Sequence, residues 1–264
     1  MKRILLYFSI MSQIILSGAF EKASDAKQTT IILEGDVWPP YVMNSKEGQN
    51  GFIIDVAIAA FAKYGYEVKY LPTPWTRALQ DTLDGKSDGV VGVYFSEAMD
   101  KKLIISTEEI GISINKFYVK TESKWKYTGV QSLNSVILGV INDYDYGEIN
   151  QYLYSARRAK SDKVQVLFEN QALESNIKKL LAGRIDAIIE DQLVMSFISA
   201  KMGVKNKLKE AGISKPSNKV GIAFSPKNPL SGKYAKTLSA GIRKLRASGE
   251  LKQILMKYGV NDWK

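Results

Sequence analysis

One order of apolar patterns occurs twice in this chain, and it leaves few folds open. From Thr29, "TTIILEGD" is a β-branched run of strand type. "GFIIDVAIAAFAKYG" (51–65) places Ile53, Ala57, Ala60, Phe61 and Tyr64 on one face at helical spacing, and Gly65 ends it. "YEVKYL" (66–71) predicts a second strand, Trp75–Leu83 a short helix and "SDGVVGVYF" (87–95) a third strand. The order then returns. "SVILGVI" (135–141) reads as strand, Tyr146–Arg157 as helix, "KVQVLF" (163–168) as strand, "NQALESNIKKLLAG" (170–183) as helix and "RIDAIIE" (184–190) as strand, before a helix over Asp191–Met202. Alternating strands and helices imply parallel pairing with right-handed crossovers. The predicted class is α/β with two lobes, each a central sheet flanked by helices.

Two stretches fall outside the repeated units. "ISINKFYVKT" (112–121) joins the halves, and "KVGIAFS" (219–225) follows the second half. Asn228-Pro229 is a cap and first-turn pair for the closing helices. If those helices return to the first half, residues 28–118 with 222–264 form lobe 1 and residues 119–221 form lobe 2. Two crossing strands then make a hinge, with a cleft between the lobes.

The first residues bear on compartment. Met1-Lys2-Arg3 is a short basic start, Ile4–Leu16 is mostly apolar, and Ser17-Gly18-Ala19 offers small residues for cleavage. That layout predicts a signal peptide over 1–19 and export to the periplasm, since the apolar run falls short of the roughly 20 residues a membrane span needs. The chain has no cysteine, so no lipid attachment point and no disulfide are expected. With no histidine either, a zinc site of the usual kind, a Ser-His-Asp triad and a thiol nucleophile are excluded. The formal charge is +10, and loss of Lys2 and Arg3 with the leader leaves +8. The basic runs "RRAKSDK" (157–163) and "KMGVKNKLK" (201–209) lack interleaved aromatics, so they read as solvated surface and no nucleic-acid partner is expected.

Several phrases together carry a family resemblance. "DVWPPYV" after the first strand, "GFIID" opening the first helix, "LDGKSDGVVG" and "LLAGRIDAIIED" occur in an order and spacing that resembles the extracellular (periplasmic) solute-binding proteins of family 3, the type that binds polar amino acids. The resemblance covers nearly all of 28–260. It implies the two-lobed periplasmic binding protein type II fold, closure on a small polar solute, and delivery to the permease of an ABC importer. "PWTRAL" (74–79) and "YDYG" are similar to a branch often found without an obvious transporter, so a membrane sensor is the other partner implied.

Site residues carry over position by position. The arginine with which the family grips an α-carboxylate falls on Met99, which cannot do so. Arg77, or Lys101 or Lys102, would have to supply the charge. The family's amino-group carboxylate matches Asp191, which as a helix-initial Asp also suits a cap. In "NDYDYG" (142–147), one of Asp143 and Asp145 can cap the following helix, and the other either faces the cleft or is solvated. Trp38 and Tyr41 flank Pro39-Pro40, and Trp75, Tyr94, Tyr144 and Tyr146 lie at strand ends, where open α/β sheets bind ligands. The expected ligand-binding set is Trp38, Tyr41, Arg77, Tyr94, Asp143, Tyr144 and Asp191, with no catalytic residue, no metal and no cofactor. Acids in place of a carboxylate grip point to an amine-bearing solute. The expected function is capture of that solute by a monomer, for import. The alternatives are a stand-alone sensing module, or a dehydratase-like enzyme on the same fold with Glu190 or Asp191 as general acid.

Overall fold

The strands divide between two sheets. The computed structural model describes residues 29–44, 48–142, 144–168 and 171–264, so the predicted leader and Asp143 lie outside the described residues. The first sheet contains β1 (Thr29–Gly35), β2 (Tyr66–Pro72), β3 (Gly89–Tyr94), β4 (Ile104–Ile105), β5 (Gly111–Ser113) and β11 (Asn218–Phe224), in the order β2-β1-β3-β11-β4 with β5 paired to β11. The second contains β6 (Asn115–Lys120), β7 (Leu138–Ile141), β8 (Val164–Leu167), β9 (Ala187–Asp191) and β10 (Leu208–Ile213), in the order β10-β6-β9-β7-β8. The repeated units pair as the alternation dictates. β1 is parallel to β2 and β3, and β7 is parallel to β8 and β9. The strands that cross over, β6 and β11, run antiparallel to their neighbours.

The chain passes from β5 to β6 through Ile114 and returns between Ile213 and Asn218. The two crossings lie side by side, because Ser113 pairs with Asn218 in an antiparallel ladder. β11 then rejoins the first sheet, followed by α7 (Ser231–Ala247) and α8 (Glu250–Met256).

The first helix, α1 (Phe52–Ala62), buries Phe52, Ile53, Ile54, Val56, Ala57, Ala60 and Phe61. Burial on nearly every side is what its lack of a polar stripe requires. α7 comes close because Gly241 has no side chain, and a Cβ there would lie 2.6 Å from Ala60 Cβ. Asp55 accepts a hydrogen bond from Tyr258 Oη at 2.7 Å, linking α1 to the segment after α8. The start of α1 has no side-chain cap. Its Phe52 and Ile53 N–H groups donate to the carbonyls of Pro40 and Tyr41, each at 3.0 Å. Gly51 permits this approach with φ +86, and a Cβ there would sit 2.5 Å from Tyr41 O. The loop carrying Trp38 and Tyr41 is thereby fixed to a helix end.

Among the described strands and α-helices, three have no counterpart in the sequence reading: α3 (Phe95–Asp100), β4 and β10. The remaining helices, α2 (Trp75–Asp84), α4 (Asn150–Arg158), α5 (Ala172–Leu181) and α6 (Gln192–Lys201), fall within about two to four residues of the expected bounds. Asn228-Pro229 does not start α7, which begins at Ser231. Asn228 Oδ1 accepts from Leu230 N–H at 2.8 Å, and its amide donates to Asp88 at 2.7 Å. Among the described residues no helix is long and apolar enough to cross a membrane.

Candidate functional site

Between the facing ends of the sheets lies a cavity of about 550 Å³. Residues from both lobes form its wall. The first lobe brings Asp36 after β1, Trp38, Trp75 at the start of α2, Tyr94 at the end of β3, and residues of α3; the second brings Asn115, Tyr144, Asp145 and Glu190.

The aromatic floor is layered. Trp38 stacks on Tyr41 with ring centroids 4.0 Å apart and planes within 10°, and Tyr41 packs on Phe52 at 4.9 Å. Tyr94 meets Trp38 edge-on at 6.2 Å. Trp38 and Tyr94 therefore face the cavity. Tyr41 is fully buried beneath Trp38 and is a support rather than a wall residue. Tyr144 lines the opposite side and is 41% exposed.

Asp191 lies outside the wall. It ends β9 and caps α6, with Oδ1 accepting from Leu193 N–H at 2.8 Å and Val194 N–H at 3.1 Å. Its Oδ2 accepts from Ser113 Oγ at 2.8 Å, Tyr41 Oη at 3.0 Å and Ile114 N–H at 3.1 Å. Five donors fill this buried carboxylate, so the structure gives its hydrogen-bonding capacity to the hinge instead of a ligand. Burial raises its pKa above the ordinary value, and the donors from Ser113, Val194, Leu193 and Tyr41 pull it back. Tyr94 Oη joins the same node through Ser113 Oγ at 3.0 Å.

The neighbouring residue faces the cavity. Glu190 is 1% exposed; its Oε1 accepts from Asp191 N–H at 2.9 Å, and its Oε2 meets no donor among the described residues. Burial pushes its pKa up to about 8; the Asp191 N–H bond opposes the rise, and the Asp191 charge adds to it. Trp38 Nε1 is a second buried polar atom without a partner there.

The helix missed in the sequence, α3, contributes Ser96, Glu97 and Asp100 to the wall, with Lys101 just beyond it. Met99 turns away and is 59% exposed. Burial raises the Glu97 pKa, Lys101 lowers it, and Asp145 and Asp100 raise it further. Asp145 comes from the facing lobe, where its Oδ1 accepts from Gly147 N–H at 2.8 Å and Asn150 Nδ2 at 2.6 Å. Asp145 is thus a turn cap that also lines the cavity. Asn115 Nδ2 holds the same segment by donating to Asp145 O at 3.0 Å. Among the described residues the wall carries five carboxylates (Asp36, Glu97, Asp100, Asp145, Glu190), one lysine and no arginine.

Arg77 is corrected by the structure. Its side chain is 77% exposed, pairs with Asp81 at 3.3 Å one turn along α2, and is not on the cavity wall. Exposed pairs of this spacing contribute less than about 0.5 kcal/mol. Arg77→Ala is expected to leave thermal unfolding and ligand affinity unchanged within that margin; a tenfold loss of affinity by calorimetry would return Arg77 to the site. The residues missed from sequence, Asp36, Glu97 and Asp100, had one usable signal. Each stands within a few residues of a strand end on the cleft side. Among the described residues, no group of three or more acids is placed to hold a metal ion.

The model of the family described as bacterial extracellular solute-binding proteins, family 3, matches residues 30–261. No curated protein matches the chain. Among solved structures, a histidine kinase sensor domain with similarity to periplasmic binding proteins superposes with a TM-score of 0.70 at 18% identity, covering 88% of this chain and 96% of that one. A mutant of the arginine-binding protein ArgBP from T. maritima gives 0.66 at 18%, covering 87% and 94%. The ancestral amino acid-binding protein AncCDT-1, described as a precursor of cyclohexadienyl dehydratase, gives 0.64 at 18%, covering 88% and 96%. At these identities the likeness carries the two-lobed fold.

Proposed function

The chain belongs to the bacterial extracellular solute-binding proteins, family 3, and from that premise we propose that it captures a small polar, amine-bearing solute between its lobes. One observation carries this reading: among the described residues the cavity wall holds aromatic rings and five carboxylates, with Lys101 as its basic residue. Carboxylates attract an ammonium group, and the faces of Trp38, Tyr94 and Tyr144 hold a cation by about 0.5–2 kcal/mol each. Closure brings residues of both lobes onto the solute, bending at Ile114 and between Ile213 and Asn218. A monomer exported to the periplasm through a signal peptide over residues 1–19, then cleaved, would present the closed form to an ABC-type permease, or to a membrane sensor.

A dehydratase-like reading has one observation in its favour. Glu190 holds a proton near neutral pH inside the cavity, as a general acid must. A cyclic carboxylic acid substrate would also need a carboxylate grip, and among the described residues the wall has no arginine. We therefore favour capture without chemistry.

Mass spectrometry of the denatured, freshly purified protein, followed by thermal unfolding against metabolite classes, tests the reading. A solute at about 100 times its Kd adds roughly 2.7 kcal/mol, or about 5–10 °C for a chain of this size. Amine-bearing solutes are expected to give that shift. A response confined to dicarboxylates would overturn the amine reading.

A further inference from the structure

We propose that the solute is an organic dication without a carboxylate, one nitrogen seated on Glu190 Oε2 and the other among Glu97, Asp100 and Asp145. The inference rests on the capture reading above and narrows its ligand. Glu190 lines the cavity, and its buried Oε2 has no protein partner among the described residues; an ammonium nitrogen arriving there takes the place of the carboxyl proton, which is released to solvent. The second group is acidic from both sides: Glu97 and Asp100 come from α3, and the Asp145 field reaches Glu97 from the facing lobe. Asp36 adds a further acid to the first lobe's side, and its field and that of Glu190 both reach Tyr144. Like charges that face each other across a cleft resist its closing, and a cation placed between them reverses the sign.

A carboxylate on the solute has no comparable place. Among the described lining residues the cationic donor is Lys101, which is exposed and close to Glu97. Asp191, the acid that the family resemblance assigns to an α-amino group, is already filled by five donors. Neither end of a zwitterionic α-amino acid centre is therefore matched.

Two matched pairs isolate the carboxylate: lysine against cadaverine, and arginine against agmatine. Titration calorimetry of the full chain is expected to find each decarboxylated amine bound at least about tenfold more tightly than its amino acid, since a carboxylate among acids forfeits an interaction of about 1.5 kcal/mol or more. Asp145→Asn and Glu190→Gln should each weaken cadaverine binding by about tenfold or more, with Arg77→Ala unchanged. Equal or weaker binding of the decarboxylated partner overturns the dication while leaving amine capture standing. Silence of all four compounds, with heat from a carboxylic acid or sugar instead, overturns both. Unchanged cadaverine affinity in both acid variants, each confirmed folded by circular dichroism, overturns the proposed seats.

Discussion

Asp191→Ala is expected to lower the unfolding temperature by roughly 10–15 °C. The substitution strips the cap from α6, at a cost of about 1–2 kcal/mol. It also leaves the Ile114 N–H without its acceptor, at about 1–3 kcal/mol for a buried donor, and takes one partner each from the Ser113 and Tyr41 hydroxyls, which keep Tyr94 Oη and Ile112 O. The sum is of order 3–5 kcal/mol, at the severe end for one residue. Asp191→Asn should lose less. Its amide oxygen can keep Leu193 and Val194, and the Ser113 and Tyr41 hydroxyls can rotate to accept from its NH₂, while the Ile114 N–H cannot reverse. Calorimetric unfolding of the two variants checks the order. Equal and small shifts would show that the node does not hold the lobes together.

Glu190→Gln is expected to flatten the dependence of stability on pH. The folded chain keeps a proton on Glu190 up to about pH 8, while the unfolded chain loses it at the ordinary 4.5. Between those values folding takes up a proton, so the stability of the native chain falls as pH rises. Gln has no such proton, and its amide oxygen can still accept from Asp191 N–H. The variant should gain on the parent as pH climbs from about 5 to 9, by on the order of a few kcal/mol at the alkaline end. Cation binding in the parent should strengthen by up to about tenfold per pH unit below 8 and then level off, and the variant should show neither trend. Parallel stability curves for the two proteins would mean that Glu190 titrates as an ordinary carboxylate.

The fold was legible because each half of the chain pairs β-branched runs with helical spacing in one repeated order. The second half of "LLAGRIDAIIED" also announced its strand and the cap that follows it. What stayed hidden was short or decided by tertiary contact. α3 is six residues with a single fully buried side chain, Ala98, and no side-chain cap, so no periodicity marks it. Yet it supplies Glu97 and Asp100 to the wall. Tyr41 and Asp191 were legible as special residues, but their partnership spans 150 positions, and only folding shows that they occupy each other. The same burial that hid this pair exposed Glu190 as the acid on the wall. Strand alternation alone could not tell which of two adjacent acids turns inward.

The side-by-side pairing of Ser113 with Asn218 has a mechanical consequence. A ribbon two strands wide is stiff in its own plane, because its ladder resists shear and separation, and compliant across that plane. Bending across that plane is then the soft coordinate between the halves, while sliding in the plane stays costly. On the proposed capture, the contact energy of a small solute would act on that bend, so that a guest far smaller than either half could swing two whole sheets.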